Sequence, residues 1–211
     1  RPARGGAAAD EAEDLAALRE AMSEVVGAEV PLRARGLDVV RKLLARRSVA
    51  ALSHFGSLVT LFERAAGHPD SYVYQSAFNA LTTAAEVRPL EVFPRLAAML
   101  QPSSEASGAA DDAERRLKAA QAVCQAAIRL GDALPPHAEA VMHALLVGAR
   151  DGECAIRASS IACLASVCST LRFALHPWAV EVLECVESSL IGEPDEQVRQ
   201  ATLALLAALL K

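Results

Sequence analysis

Cysteine and histidine are the residue types with the widest chemical range, and this chain has five of each. The cysteines are Cys124, Cys154, Cys163, Cys168 and Cys185; the histidines are His54, His68, His137, His143 and His176. A nucleophilic thiol needs a base beside it, and a structural zinc needs closely spaced ligand pairs. Neither pattern occurs. There is no C-x-x-C, no H-E-x-x-H, no G-x-S-x-G and no phosphate-binding glycine run. His137 and His143 are six apart, which puts them on different faces of a helix. The odd number of cysteines argues against a disulfide framework, and most sit among Ala, Leu and Val at helical spacing. They read as small buried hydrophobes in a reducing compartment. The sequence thus assigns no catalytic residue, no cofactor and no metal ligand, and the expectation is a protein that is not an enzyme.

The remaining candidates are recognition residues. Tyr72 and Tyr74 stand two apart, so on a helix they point in different directions and one is expected to pack between elements. Trp178 follows Pro177 and reads as a packing residue at a helix start. Charge is unevenly spread. Residues 10–29 hold seven acids and one Arg, and residues 181–197 hold six acids and no base. Residues 31–47 carry six bases, among them Arg41 and Lys42, against Asp38. Each cluster is either a solvated face or part of a surface patterned to attract charged partner segments.

Ala (45 residues) and Leu (28) make up about a third of the 211 residues, while aromatics are 4%. Strong helix formers dominate and strand formers are scarce, which excludes an all-β fold. A net charge of -5 with only three Lys argues against a nucleic-acid binder. No uninterrupted apolar run approaches the roughly 18 residues of a membrane-spanning helix, and no signal peptide is visible. Because the first residue is Arg1, we expect a piece of a longer protein, in which an anchor or targeting signal would lie elsewhere.

A repeat positions these residues. Arg157 and Arg199, each preceded at four residues by an acid, are 42 apart. Steps of 41 or 42 lead back to Arg116, Tyr74 and Arg33. The residues four before these markers are Glu29, Asp70, Asp112, Glu153 and Asp195, all acidic. An acid just before a helix accepts hydrogen bonds from free backbone N–H groups and suits the positive end of the helix dipole. We therefore assign all five as helix caps. Apolar residues then follow at three, four and seven, as in Leu37, Val40 and Leu44, or Val198, Thr202, Leu205 and Leu209. Partner helices are expected over residues 11–26, 49–66, 90–100, 137–149 and 177–190.

Two helices per 41–42 residues is the HEAT or armadillo size class, and the lack of a third short helix favours HEAT. The reading is an all-α, right-handed α-solenoid of about five HEAT-like antiparallel helix pairs. Its repeats run over residues 10–48, 49–88, 89–133, 134–175 and 176–211. A disordered tail is expected at 1–9, and a flexible loop at 102–112, where small and polar residues bury too little surface to order themselves.

The stretch Val30-Pro-Leu-Arg-Ala-Arg-Gly-Leu-Asp-Val-Val-Arg-Lys-Leu-Leu, followed by Asp70-Ser-Tyr-Val-Tyr-Gln-Ser-Ala-Phe-Asn-Ala-Leu and then Glu91-Val-Phe-Pro-Arg-Leu, resembles a known HEAT family. It is similar to the C-terminal region of the transport and Golgi organization protein 6 family, whose fungal members are RNA polymerase II assembly factors. Asp195 to Leu210 resembles that family's second C-terminal block. Gln75, Ser76 and Phe78 depart from the Leu-Asn and Ile expected there. The resemblance implies a scaffold for RNA polymerase II subunits and transport or assembly factors, cytoplasmic and shuttling to the nucleus. It also implies a link to protein secretion and Golgi organization.

We expect partners to bind on an inner surface built by the second helix of each pair, with Arg41, Lys42, Tyr72, Tyr74 and Gln75 as contact residues. Arg33, Tyr74, Arg116, Arg157 and Arg199 recur in register there. They form either a structural ladder bonded to neighbouring acids or part of the binding face. A nucleic-acid-binding repeat protein using residues 31–47 is the competing class. No small-molecule substrate and no membrane contact are expected of these residues.

Overall fold

The computed structural model describes residues 4–27, 29–102 and 108–210, and they contain helices and turns but no strand. In chain order the α-helices are α1 (Arg4–Val26), α2 (Val30–Ala45), α3 (Val49–Ser53), α4 (Phe55–Ala66) and α5 (Ser71–Val87). They continue as α6 (Pro89–Met99), α7 (Ala109–Leu130), α8 (Ala138–Gly148), α9 (Cys154–Leu171), α10 (Ala179–Leu190) and α11 (Glu196–Leu209). The chain divides into two compact units, residues 1–88 and 89–211.

Four second helices, α2, α5, α9 and α11, begin one residue after Glu29, Asp70, Glu153 and Asp195. The fifth does not follow. Gly108 is the residue before α7, and Asp112 lies inside its first turns, so the cap assigned to Asp112 is corrected. Ala109, Ala110 and Asp111 extend the helix backwards into the stretch expected to be loop. Likewise α1 starts at Arg4, within the expected tail. Residues 1–3 and 103–107 of those two stretches lie outside the described residues.

Short lead-in helices precede several first helices. The expected helix over 49–66 is divided at His54, whose ring Nδ1 is 2.9 Å from the Ala50 carbonyl oxygen. Short 3₁₀ segments at Gly131–Ala133 and Pro135–His137 lead into α8, and Arg172–Trp178 leads into α10. Pro135 and Pro136 lie in the second of these 3₁₀ segments and Pro177 in the third, whereas no proline marks the break at His54.

In unit 1, α1 packs on α2, α2 on α5, and α4 on α5. Leu18, Ala21, Leu37, Val40, Leu44, Leu58, Phe62, Ala77 and Leu81 are buried between them. Gly36 lets α2 approach α1 closely: a Cβ there would stand 2.6 Å from the Ala21 carbonyl oxygen. In unit 2, α7, α9 and α11 stack as second helices, with α6, α8 and α10 as their partners. Small residues such as Ala119, Ala120 and Ala127 on α7 allow that close stacking, which is why so few aromatics are needed. Residues 154–190 have the length and composition of a membrane span. Their apolar side chains Ile156, Ile161, Leu164 and Val167 are buried in the repeat core instead.

Candidate protein-binding surface

Of the four acids in cap position, two act as caps. Asp70 accepts a 2.9 Å hydrogen bond from Tyr72 N–H, and Asp195 accepts from Gln197 and Val198 at 2.8 and 3.2 Å. These bonds, with that from Val198 foremost, hold the Asp195 carboxyl below its ordinary range. Glu29 and Glu153 have the extended backbone of a cap, but their carboxylates accept nothing from the helix. The extra methylene of Glu places the carboxylate past the N–H groups that Asp reaches.

Three of the recurrent arginines, Arg33, Arg157 and Arg199, clamp the turn before their own helix. Arg33 donates to the Gly27 carbonyl; Arg157 donates to those of Asp151 and Gly152; Arg199 donates to those of Glu193 and Pro194. In unit 2 they also reach forward. Arg116 pairs with Asp112 at 2.8 Å and with Asp151, and both its side chain and theirs are only 9% exposed. Arg157 pairs with Glu193 at 3.0 Å. Burial alone would lower the Arg116 pKa, but the Asp151 and Asp112 carboxylates raise it. The Arg157 guanidinium likewise holds Glu193 below the ordinary carboxylate range. Asp151 and Glu193 meanwhile accept the backbone N–H of Glu153 and Asp195, so each rung fixes a helix entry and a repeat junction together. The sequence reading missed both acids. They stand 42 apart, two residues before the cap position, and His68 occupies the same place before Asp70, accepting its N–H through Nδ1.

Three of the four buried thiols are held protonated. Cys124, Cys163, Cys168 and Cys185 are buried and Cys154 is exposed, and none of the five is in a disulfide. Burial pushes Cys168 up to about 12 and raises Cys185, while the adjoining Cys124 and burial raise Cys163. A thiol held protonated is a poor nucleophile. Among the described residues no group of three His, Cys, Asp or Glu is arranged to hold a metal.

What remains is the exposed face of the second helices. On α5, Tyr72, Gln75 and Asn79 are exposed and Ser76 is partly so. Spaced at three, four and seven, they lie on one face. Tyr72 is 73% exposed, whereas Tyr74 is half-buried, so the two tyrosines do part as expected. Asn79 was not singled out beforehand, although it stands four residues beyond Gln75. The neighbouring helix α2 shows the matching positions. Asp38, 41 residues before Asn79, binds Arg41 at 2.6 Å and Lys42 at 2.7 Å. The Lys42 hydrogen bond, with help from Arg41, lowers the Asp38 pKa against the cost of burial. Arg41 and Lys42 therefore sit within an exposed, internally paired triad. Unit 2 presents Gln121 and Gln125 on α7 and Gln200 on α11 at comparable exposed positions. These are amide and small side chains, suited to hydrogen-bonding and stacking against another polypeptide.

Comparison with known proteins bears on both fold and role. Residues 18–133, more than half of the chain, match the family model described as required for nuclear transport of RNA pol II C-terminus 1. Among solved structures, a designed armadillo repeat protein in complex with the peptide (KR)4 is similar at 14% identity, with a TM-score of 0.58, covering 90% of this chain and 81% of that one. Computationally designed armadillo repeat proteins for modular peptide recognition are similar at 15% identity and a TM-score of 0.56, covering 90% and 81%. An engineered protein matches at 16% identity and a TM-score of 0.57, covering 91% and 78%. At such identities the likeness establishes the fold, an all-α repeat solenoid of the armadillo kind.

Proposed function

The chain belongs to the family required for nuclear transport of RNA pol II, C-terminus 1, and from that premise we propose that it is a protein-binding scaffold whose partners are RNA polymerase II subunits. It carries them, with transport or assembly factors, between cytoplasm and nucleus. The observation that supports a binding surface is the exposed stripe of Tyr72, Gln75 and Asn79 on α5, beside the Asp38–Arg41–Lys42 triad of α2. An exposed Tyr brings large contact area at low entropic cost, and flanking amides hydrogen-bond a partner's main chain. Repeat solenoids use such continuous faces for protein recognition, and the designed armadillo neighbours include one complexed with a peptide. The paired charges of Arg41 and Lys42 serve selectivity more than affinity.

Affinity purification from cell extract with this chain as bait, followed by mass spectrometry, tests the proposal. RNA polymerase II subunits are expected among the recovered proteins, and their recovery should fall with Tyr72→Ala and Gln75→Ala. Recovery of membrane-trafficking proteins alone would replace this reading by one in secretion and Golgi organization. Recovery of nucleic acid that resists high salt would overturn both, since binding through phosphates weakens steeply with salt.

A further inference from the structure

Two buried thiols meet where α7 packs on α9 in unit 2. The Cys163 thiol of α9 donates to the Ala120 carbonyl of α7 at 3.8 Å. Cys124 stands four residues beyond Ala120, so it shares that face of α7. Helical side chains lean toward the N-terminus of their helix, which carries the Cys124 sulfur back over the turn that Cys163 touches. The Cys163 proton therefore has two acceptors in reach, the Ala120 carbonyl and the Cys124 sulfur. Its hydrogen bond holds the Cys124 pKa below the ordinary thiol value, against the effect of burial. Cys124 and Cys163 are also the least deeply covered of the buried cysteines, at 7% and 8% exposure against 3% and 2% for Cys168 and Cys185.

We propose that Cys124 and Cys163 are a peroxide-responsive thiol pair, in which oxidation closes a disulfide across the α7–α9 junction. Cys124 reacts first. Its thiolate attacks one oxygen of hydrogen peroxide; an S–O bond forms, the O–O bond breaks, and the released hydroxide takes up the thiol's proton to leave as water. The Cys163 sulfur then attacks the Cys124 sulfenic acid. An S–S bond forms, the S–O bond breaks, and the Cys163 proton leaves with the hydroxyl as a second water. Two thiols have given up two electrons and two protons, and one hydrogen peroxide has become two waters. Cys168 and Cys185 are both held protonated, so neither offers the first attack. The bridge stands eight residues beyond Arg116 on α7 and adds a covalent link to the junction that the Arg116–Asp151 pair already joins.

The test treats the folded chain with hydrogen peroxide, blocks remaining thiols with N-ethylmaleimide in denaturant, and maps tryptic peptides without reduction. The expected product joins peptide 119–129 to peptide 158–172, with fragmentation placing the bridge at Cys163 rather than Cys168. It should form at least tenfold faster than any bridge to Cys168 or Cys185. The oxidised chain should melt about 5 °C or more above the reduced one, a rise that dithiothreitol removes. In Cys163→Ala the reaction should stop at a Cys124 sulfenic acid, trapped by dimedone; in Cys124→Ala, Cys163 should take up no dimedone. Circular dichroism verifies that both variants fold, and the wild-type map stands without them. Three results would each overturn the proposal. The first is no Cys124–Cys163 bridge in the folded chain when the same oxidant bridges the chain in urea. The second is an equal yield of bridges to Cys168 or Cys185. The third is dimedone on Cys163 in folded Cys124→Ala.

Discussion

The two units hold their repeats in register by different means. In unit 2 the recurrent position carries arginine each time, and Arg116 and Arg157 reach acids of the following repeat with little exposure to solvent. In unit 1 the same position is Arg33 and then Tyr74. The unit's ion pairs lie nearer the surface, as with Arg35 and Glu24 at 3.1 Å and the Asp38 triad. There the register comes from close helix approach at Gly36 and from aliphatic and phenylalanine packing. The contrast separates polar residues that hold the fold from those left over for recognition. A guanidinium with two buried carboxylates cannot meet a partner, whereas Lys42, Tyr72 and Gln75 can.

The sharpest way to break this contrast is to remove a ladder acid. Asp151→Ala leaves Arg116 with Asp112 alone and frees the Glu153 N–H, and should cost about 3 kcal/mol in urea unfolding, within the range for breaking a buried pair. Lys42→Ala, which opens an exposed pair, should cost about 0.5 kcal/mol or less. Equal costs would erase the distinction between the units. Next comes unit 1's own device. Gly36→Ala pushes a methyl against the α1 backbone at Ala21 and should cost about 2 kcal/mol despite the better helix propensity of Ala. A gain in stability would mean that α1 yields easily and that the close approach does not set the register.

The caps give a smaller effect with a clear internal control. Asp70→Ala and Asp195→Ala should each cost about 1 kcal/mol, one cap in each unit. Glu29→Ala and Glu153→Ala should stay within about 0.3 kcal/mol, since neither carboxylate accepts a helix N–H. A thermal melt in which all four behave alike would refute the assignment.

The least effect is expected from pH, and it belongs mainly to unit 2. Glu193 and Asp195 have folded-state pKa values below their unfolded ones, so the stability they contribute is present at neutral pH. It is lost as pH falls from about 4 through the folded values. Glu193→Gln with Asp195→Asn should flatten the acid limb of a stability–pH curve. An unchanged limb would show that other carboxylates govern it.

The repeat was legible because period, helix-start acids and apolar stripes all agree, and α2, α5, α9 and α11 start where the acids place them. Asp112 misled because the residues before it, Ala109 and Ala110, extend the helix as readily as they would a loop. Asp151 and Glu193 escaped notice because they precede the helices they organise, outside the segment compared between repeats. The break at His54 is set by a side-chain bond to the Ala50 carbonyl, which no local propensity signals. On the candidate surface, Tyr72 and Gln75 were readable as polar residues at helical spacing. The division between Tyr72 exposed and Tyr74 half-buried depended on how α5 sits in its unit.

The central claim is that the open face of α2 and α5 carries recognition. Direct titration of purified RNA polymerase II with fluorescently labelled chain tests it. The triple variant Tyr72→Ala, Gln75→Ala, Asn79→Ala should bind at least tenfold more weakly than wild type, as the loss of roughly 1.4 kcal/mol or more from a Tyr-centred contact requires. Asp151→Ala, if still folded at the assay temperature, should leave the affinity within about twofold. A triple variant that binds as tightly as the wild type would contradict the account.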